Sequence, residues 1–158
     1  MFKWLRSLFS GIRPPNPTGP PVSVKKLDAS DSPIAEGVTW HGDELKVTAS
    51  EPATVHLFEV PISGHDQCMI TYRFQISTDA LKSNVYPEMW CRIPGMGEFF
   101  SRGLHQKVRG TNNYLSMEVP FYLKKEQTPD LLKLNLVFQG AGVARLKDIE
   151  IFATPLDG

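Results

Sequence analysis

The chain has 158 residues, 41% of them hydrophobic, which is enough for one ordinary core and one domain. Seventeen basic residues balance 17 acidic ones, so the formal net charge is zero and a general nucleic-acid partner is excluded. The 13 prolines and 12 glycines suit short strands and many turns rather than long helices.

The first twelve residues, MFKWLRSLFSGI, stand apart. Phe2, Leu5, Leu8, Phe9 and Ile12 recur at three- and four-residue steps, opposite Lys3, Arg6, Ser7, Ser10 and Arg13. This pattern predicts a short basic amphipathic helix over residues 1–12. At about 18 Å it is too short to span the roughly 30 Å apolar layer of a bilayer, but it suits lying on one. Phe2, Trp4, Leu5, Leu8 and Phe9 are then the candidate membrane contacts, with the basic residues toward anionic headgroups. Docking on the chain's own domain, docking on a partner and a terminus without function remain open beside this. The apolar stretch is interrupted and lacks a small-residue cleavage site, so no cleavable signal is expected and the location is read as cytoplasmic or peripherally membrane-associated. Residues 13–21 carry RPPNPTGPP, in which proline forbids helix continuation and favours an extended spacer. The domain proper is read as residues 22–158.

From Val22 the chain alternates apolar and polar residues between turn signals, the mark of strands with one face in a core. Strands are predicted near Val22 to Leu27, Val38 to His41, Glu44 to Ala49, Thr54 to Val60, Met69 to Ile76, Tyr86 to Ile93, Tyr114 to Leu123, Leu131 to Phe138 and Val143 to Phe152. Turns fall at His41-Gly42-Asp43, Ser63 to Asp66, Pro94 to Gly97, Thr128-Pro129-Asp130 and Gln139 to Gly142. No segment offers the crossover helices of a parallel sheet. The fold class is therefore all-β, an antiparallel two-sheet β-sandwich of jelly-roll type, preceded by the short helix.

Period two sorts the faces. Cys68, Ile70, Tyr72, Phe74 and Ile76 form one inward row, Val85, Met89, Cys91 and Ile93 a second, Leu115, Met117, Val119, Phe121 and Leu123 a third, and Leu132, Leu134, Leu136 and Phe138 a fourth. Two cysteines are too few for a disulfide scaffold and lack metal or redox spacing, so they read as buried thiols, with a bridge between neighbouring strands left open. The opposite faces carry Arg73, Gln75, Tyr86, Glu88, Trp90, Arg92, Lys133, Asn135 and Gln139. If the strands are neighbours, these residues share one surface, where flat rings and directed polar groups suit a sugar or a protein partner. An ordinary solvated sheet face explains the same composition.

The run PEMWCRIPGMGEFFSRG and the following GTNNYLSMEVPFYLKKEQTPDLLKLNLVFQGAGVARLKDIEIF resemble bacterial galactose-binding-like β-sandwich domains of the carbohydrate-binding-module type. The resemblance is carried by Gly110-Thr111, Tyr114, Val119-Pro120-Phe121, Leu134-Asn135-Leu136, Gly140 to Gly142 and Lys147-Asp148. It covers about the last 100 residues and implies the sandwich fold and, by analogy, a noncatalytic module that binds carbohydrate. Trp90, Tyr86, Glu88, Arg92, Arg73, Gln75 and Asn135 are the candidate ligand contacts. The alternative is a membrane-tethered protein-interaction domain using the same patch. Many members of that superfamily hold a structural calcium near the last strand, but here Lys147 stands beside Asp148, and Asp148 with Glu36 or Asp43 makes an incomplete remnant, so no cofactor or metal is expected.

Catalysis has little support. His41, His56, His65 and His105 lack metal-ligand spacing, no serine sits in a GxSxG elbow, and Gly95-Met96-Gly97 lacks the lysine and helix of a phosphate loop. Glu88 and Glu98 would serve a glycosidase only if a cleft held them about 5 to 9.5 Å apart.

Overall fold

The computed structural model describes residues 15–157, and over that span the chain is nearly all β. The strands are β1 (Val22–Lys26), β2 (Val38–His41), β3 (Glu44–Ala49), β4 (Ala53–Pro61), β5 (Cys68–Ile93), β6 (Gly97–Arg102), β7 (Val108–Leu123), β8 (Leu131–Phe138) and β9 (Gly142–Pro155). A single 3-10 turn, Leu104–Gln106, lies between β6 and β7.

All pairings are antiparallel and join the strands into one curled sheet. The curl arises because β5 runs through both arms. Its first half, Cys68 to Thr78, pairs with β9, and its second half, Val85 to Arg92, pairs with β8. The first arm reads β2-β3-β9-β5-β7, with β1 beside β3 on the same edge of β9, and the second reads β4-β8-β5-β6. On the other edge of β5, β6 and β7 lie end to end, opposite Glu88 to Ile93 and Cys68 to Val85 respectively. The two arms face each other across one hydrophobic core, which is the β-sandwich arrangement.

Where the sequence predicts two strands, Met69 to Ile76 and Tyr86 to Ile93, the structure has one strand of 26 residues. The intervening STDALKSN is polar and reads as a loop. It stays extended because β7 follows it through successive register shifts, pairing Thr78 with Asn112, Leu81 with Gly110 and Val85 with Val108. Such bulges bend a strand and raise its twist. Thr78 Oγ1 donates to the Gly110 carbonyl at 3.0 Å, the Ala80 N–H donates to Thr111 Oγ1 at 2.9 Å, and Ala80 takes φ 50°. The β8–β9 turn closes over this corner so tightly that a Cβ at Gly140 would meet Ser83 and one at Gly142 would meet Leu81. β6 is absent from the sequence reading because Phe99-Phe100 does not alternate.

The inward rows are buried as the period-two pattern requires, with Ile70, Tyr72, Phe74, Ile76, Met89, Cys91, Val119, Leu132, Leu134 and Leu136 all fully buried. Leu115, 43% exposed, and Phe121, half-buried, depart from their row because β7 is an edge strand. Tyr72, on the first arm, reaches through the core to donate its hydroxyl to the Asn135 carbonyl of the second arm at 3.4 Å. Cys68 and Cys91 are free and buried, and burial pushes their thiols up to about 11 and about 12.

The helix predicted over residues 1–12, with its contacts Phe2, Trp4, Leu5, Leu8 and Phe9, lies outside the described residues. Of the proline-rich segment, Asn16 to Thr18 is strapped to the end of β9. The Asn16 N–H donates to Asp157 Oδ1 at 2.7 Å, and the Asp157 and Thr18 N–H groups donate to the Asn16 and Pro155 carbonyls at 2.9 Å each. No helix among the described residues is long and apolar enough to cross a membrane.

Two outcomes are expected. A disulfide-exchange reagent at neutral pH should leave both thiols unmodified until denaturant is added, since a thiolate is required and burial disfavours it. Tyr72→Phe should lower unfolding stability by roughly 1 kcal/mol in urea titrations, the worth of one buried neutral hydrogen bond; an unchanged midpoint would show that the bond across the core contributes nothing.

Candidate functional site

The outer face of the second arm is organised by strand register. His56 of β4 is the cross-strand partner of Asn135 of β8, Asn135 is the partner of Glu88 of β5, and Glu88 is the partner of Arg102 of β6. Cross-strand partners project to the same side of a sheet, so these four form one row. A register shift between His56 and Phe58 of β4 lets Leu57 and Phe58 both enter the core while His56 faces outward.

The row is continuously bonded. His56 Nδ1 lies 3.0 Å from Asn135 Oδ1, Asn135 Nδ2 donates to Glu88 Oε1 at 2.9 Å, and Arg102 Nε donates to Glu88 Oε2 at 2.7 Å. Trp90 Nε1 adds a further donor to Glu88 Oε1 at 2.9 Å. Glu88 is 3% exposed and Asn135 1%, so this is a buried carboxylate that accepts from Asn135, Trp90 and Arg102. Burial pushes its carboxyl up, but the hydrogen bonds from Arg102, Asn135 and Trp90, with the Arg102 charge, outweigh burial and hold it below its ordinary value.

Aromatic rings flank the row. On one side Trp90 packs on Phe100 of β6, ring centres 5.0 Å apart, and the Arg102 guanidinium lies 4.2 Å over the Phe100 ring. On the other side Tyr86 lies nearly buried, with the Lys107 ammonium 5.8 Å from its ring centre. Glu98 and Lys133 form an ion pair at 2.8 Å on the Trp90 side. Thr54, His56, Glu88, Trp90, Glu98, Arg102, Lys133 and Asn135 together line an open groove of about 380 Å³.

The structure divides the residues named from sequence. Glu88, Trp90 and Asn135 line this groove, and Tyr86 adjoins it one outward step along β5. Arg92 shares the strand but turns to Asp130 in a two-pronged pair at 2.8 and 3.2 Å. Arg73 and Gln75 lie in the first half of β5, where they line a separate groove of about 820 Å³ with Lys26, Glu118, Asp148 and Glu150. There the Arg73 guanidinium sits 4.2 Å over the Phe152 ring. The residues are not one surface, because β5 turns from one arm into the other between Gln75 and Tyr86.

His56, Phe100 and Arg102 are site residues that sequence reasoning missed. The alternation Thr54, His56 on β4 carried a usable signal. Glu98, Phe100 and Arg102 alternate too, but only a reader who had already taken β6 as a strand would see it. Glu98, imagined as a glycosidase partner of Glu88, pairs with Lys133, and the donors around Glu88 hold its carboxyl below its ordinary value. Among the described residues no group of three or more His, Cys, Asp and Glu gathers as metal ligands, and Asp148 lies 4.0 Å from Lys26.

No family model matches the sequence, and no curated protein does either. Solved structures do match in fold. The xylan-binding module CBM15 superposes with a TM-score of 0.53 at 11% identity, over 85% of this chain and 97% of that one. The CBM22-1 xylan-binding domain from Paenibacillus barcinonensis Xyn10C gives 0.51 at 11% identity, over 87% and 97%. A chain in the structure of the Gx strain of infectious bursal disease virus gives 0.54 at 11% identity, over 92% of this chain and 37% of that one. The chain thus shares a β-sandwich fold with these structures, the fold that the resemblance over about the last 100 residues implied. The fold also occurs in a chain of a viral structure, and a fold by itself assigns no role.

The depressed Glu88 carboxyl makes a pH prediction. Between its native value and the unfolded one of about 4.3, the unfolded chain binds the extra proton. The stabilisation is therefore complete above about pH 4.3 and is lost as pH falls through the native value. In thermal melts from neutral pH down to strong acid, wild type should exceed Glu88→Gln by a margin that closes in the acid range. A margin constant throughout would mean that the row does not favour the ionised carboxylate.

Proposed function

We propose that this protein is a noncatalytic carbohydrate-binding module, of jelly-roll, galactose-binding-like type, whose ligand lies along the outer face of the second arm. The observation that carries the proposal is the bonded row His56, Asn135, Glu88 and Arg102, set between the Trp90–Phe100 pair and Tyr86. A sugar presents apolar C–H faces and a rim of hydroxyls. Trp90 and Phe100 offer platforms to the first, and the outward His56 imidazole and Arg102 guanidinium, held in place by the buried Asn135 and Glu88, offer directed polar groups to the second. Because these groups already hold one another in place, little conformational freedom is lost on binding. The name xylan-binding belongs to two of the fold's neighbours, so xylan is a sensible first ligand to test here.

Titration calorimetry of the full chain against xylan oligosaccharides and a broader glycan panel tests the reading. Trp90→Ala should weaken the binding of any glycan found by about tenfold or more, as loss of a central aromatic anchor does, with the circular dichroism spectrum unchanged. Arg73→Ala, in the other groove, should leave affinity unaltered. Loss of binding in Arg73→Ala alone would move the ligand to the first arm, and silence across the panel would favour the alternative of a protein partner on the same face.

A further inference from the structure

β6 forms the edge of the second arm. Its inner side pairs with β5, and among the described residues no backbone group bonds its outer side. The Gly103 N–H donates to the Pro87 carbonyl at 2.9 Å, which phases this ladder. Bonded and non-bonded pairs alternate in an antiparallel ladder. With Trp90 opposite Phe100, the bonded pairs are then Met89 with Ser101 and Cys91 with Phe99. The N–H and C=O groups of Glu98, Phe100 and Arg102 consequently point outward from the sheet.

Natural sheets guard open edges with short strands, charged side chains (lysine above all), proline, bulges or covering loops, and of these β6 has its short length and the charges of Glu98 and Arg102. No lysine or proline occurs from Gly97 to Leu104. Instead Met96, Phe99, Phe100 and Leu104 are 54, 41, 48 and 53% exposed along this stretch. Other edges are better guarded. Residues 34 and 35 bond the open side of β4 through the Leu57 and His56 carbonyls, and Gln106 Oε1 accepts from the Glu118 N–H on β7.

We propose that the β6 edge pairs with the β6 edge of a second copy of this chain, about a two-fold axis at Phe100. In that register Phe100 faces the partner's Phe100, and Glu98 faces the partner's Arg102 on either side of it. Every outward N–H and C=O of the three residues finds a ladder partner. The strand is self-complementary in charge about its aromatic centre, since Glu98 and Arg102 pair within the chain with Lys133 and Glu88 but each keeps a side chain 39% exposed, and this is why the occupant is a second copy and not an unrelated strand. Two-fold registers centred on Glu98 or Arg102 would bring like charges together, and the register centred on Phe100 alone sets Glu98 opposite the partner's Arg102. The two second arms become one continuous sheet that places two Trp90–Phe100 clusters on a common face. That doubling of a ligand face rests on the carbohydrate reading, whereas the dimer itself does not.

The test uses the full chain without any glycan, so its failure and that of the carbohydrate reading are distinguishable. Sedimentation velocity across micromolar concentrations should show a reversible monomer–dimer equilibrium. Glu98→Lys, which sets two cations opposite each other twice, should weaken that equilibrium by about tenfold or more. Phe100→Cys should form an intermolecular disulfide under mild oxidation, because bonded antiparallel pairs hold Cα atoms about 5.5 Å apart, within disulfide reach. Cys68 and Cys91 are buried and silent in this assay, and Tyr122→Cys, at an exposed site on the first arm, controls for random collision. A chain that stays monomeric throughout overturns the proposal, whether the edge is bare or covered by another segment. So does cross-linking of Phe100→Cys no greater than that of Tyr122→Cys, and this arm decides the matter even if Glu98→Lys does not fold.

Discussion

One strand, β5, belongs to both arms of the sandwich, and the rest of the structure depends on that. A strand of 26 residues cannot lie flat in a compact domain of this size. It has to bend, and the bend at Ser77–Asn84 is made from register shifts against β7, a left-handed Ala80, and the close cover of Gly140 and Gly142. Once β5 is bent, β9 and β8 fall on opposite arms, and Tyr72 and Asn135 come to face each other across the core. Loop-like residues here carry the architecture.

The same bend decides which polar groups meet. Glu88 is a carboxylate in a nearly water-free position, an arrangement that costs free energy unless its oxygens are fully paired. Here Asn135, Trp90 and Arg102 supply donors, and Asn135 in turn contacts His56, so one cross-strand row satisfies a charge that any single strand would leave stranded. Such a row adds order more than net stability, since an apolar replacement of similar shape would avoid the desolvation altogether.

Much of the fold is legible in the sequence because period two is local. The rows through Ile70, Met89 and Leu134 could be assigned inward without knowing any neighbour, and they are buried. Legibility ended where residues depend on partners far along the chain. STDALKSN contains nothing that says strand, and partners far along the chain, β7 along its length with β9 and the β8–β9 turn at its ends, keep it extended. Phe99-Phe100 breaks alternation because a short edge strand shows one ring to the Trp90 face and leaves the other at the rim. Arg73 and Trp90 both face outward on β5, yet they serve different grooves, and the corner between them is invisible to periodicity.

By itself the sequence determined an all-β domain with turns at its Gly and Pro clusters, an inward set of apolar residues, and Glu88, Trp90 and Asn135 as outward polar and aromatic positions. These follow from the alternation of side chains along an extended chain and from backbone freedoms that act within a few residues. Only the tertiary structure decided which outward positions share a surface. It joined His56 and Arg102 to Glu88, sent Arg92 to Asp130, and set Arg73 and Gln75 over the other arm. Cross-strand register and the bend of β5 govern those meetings, and both are properties of paired strands, which no window along a single chain contains.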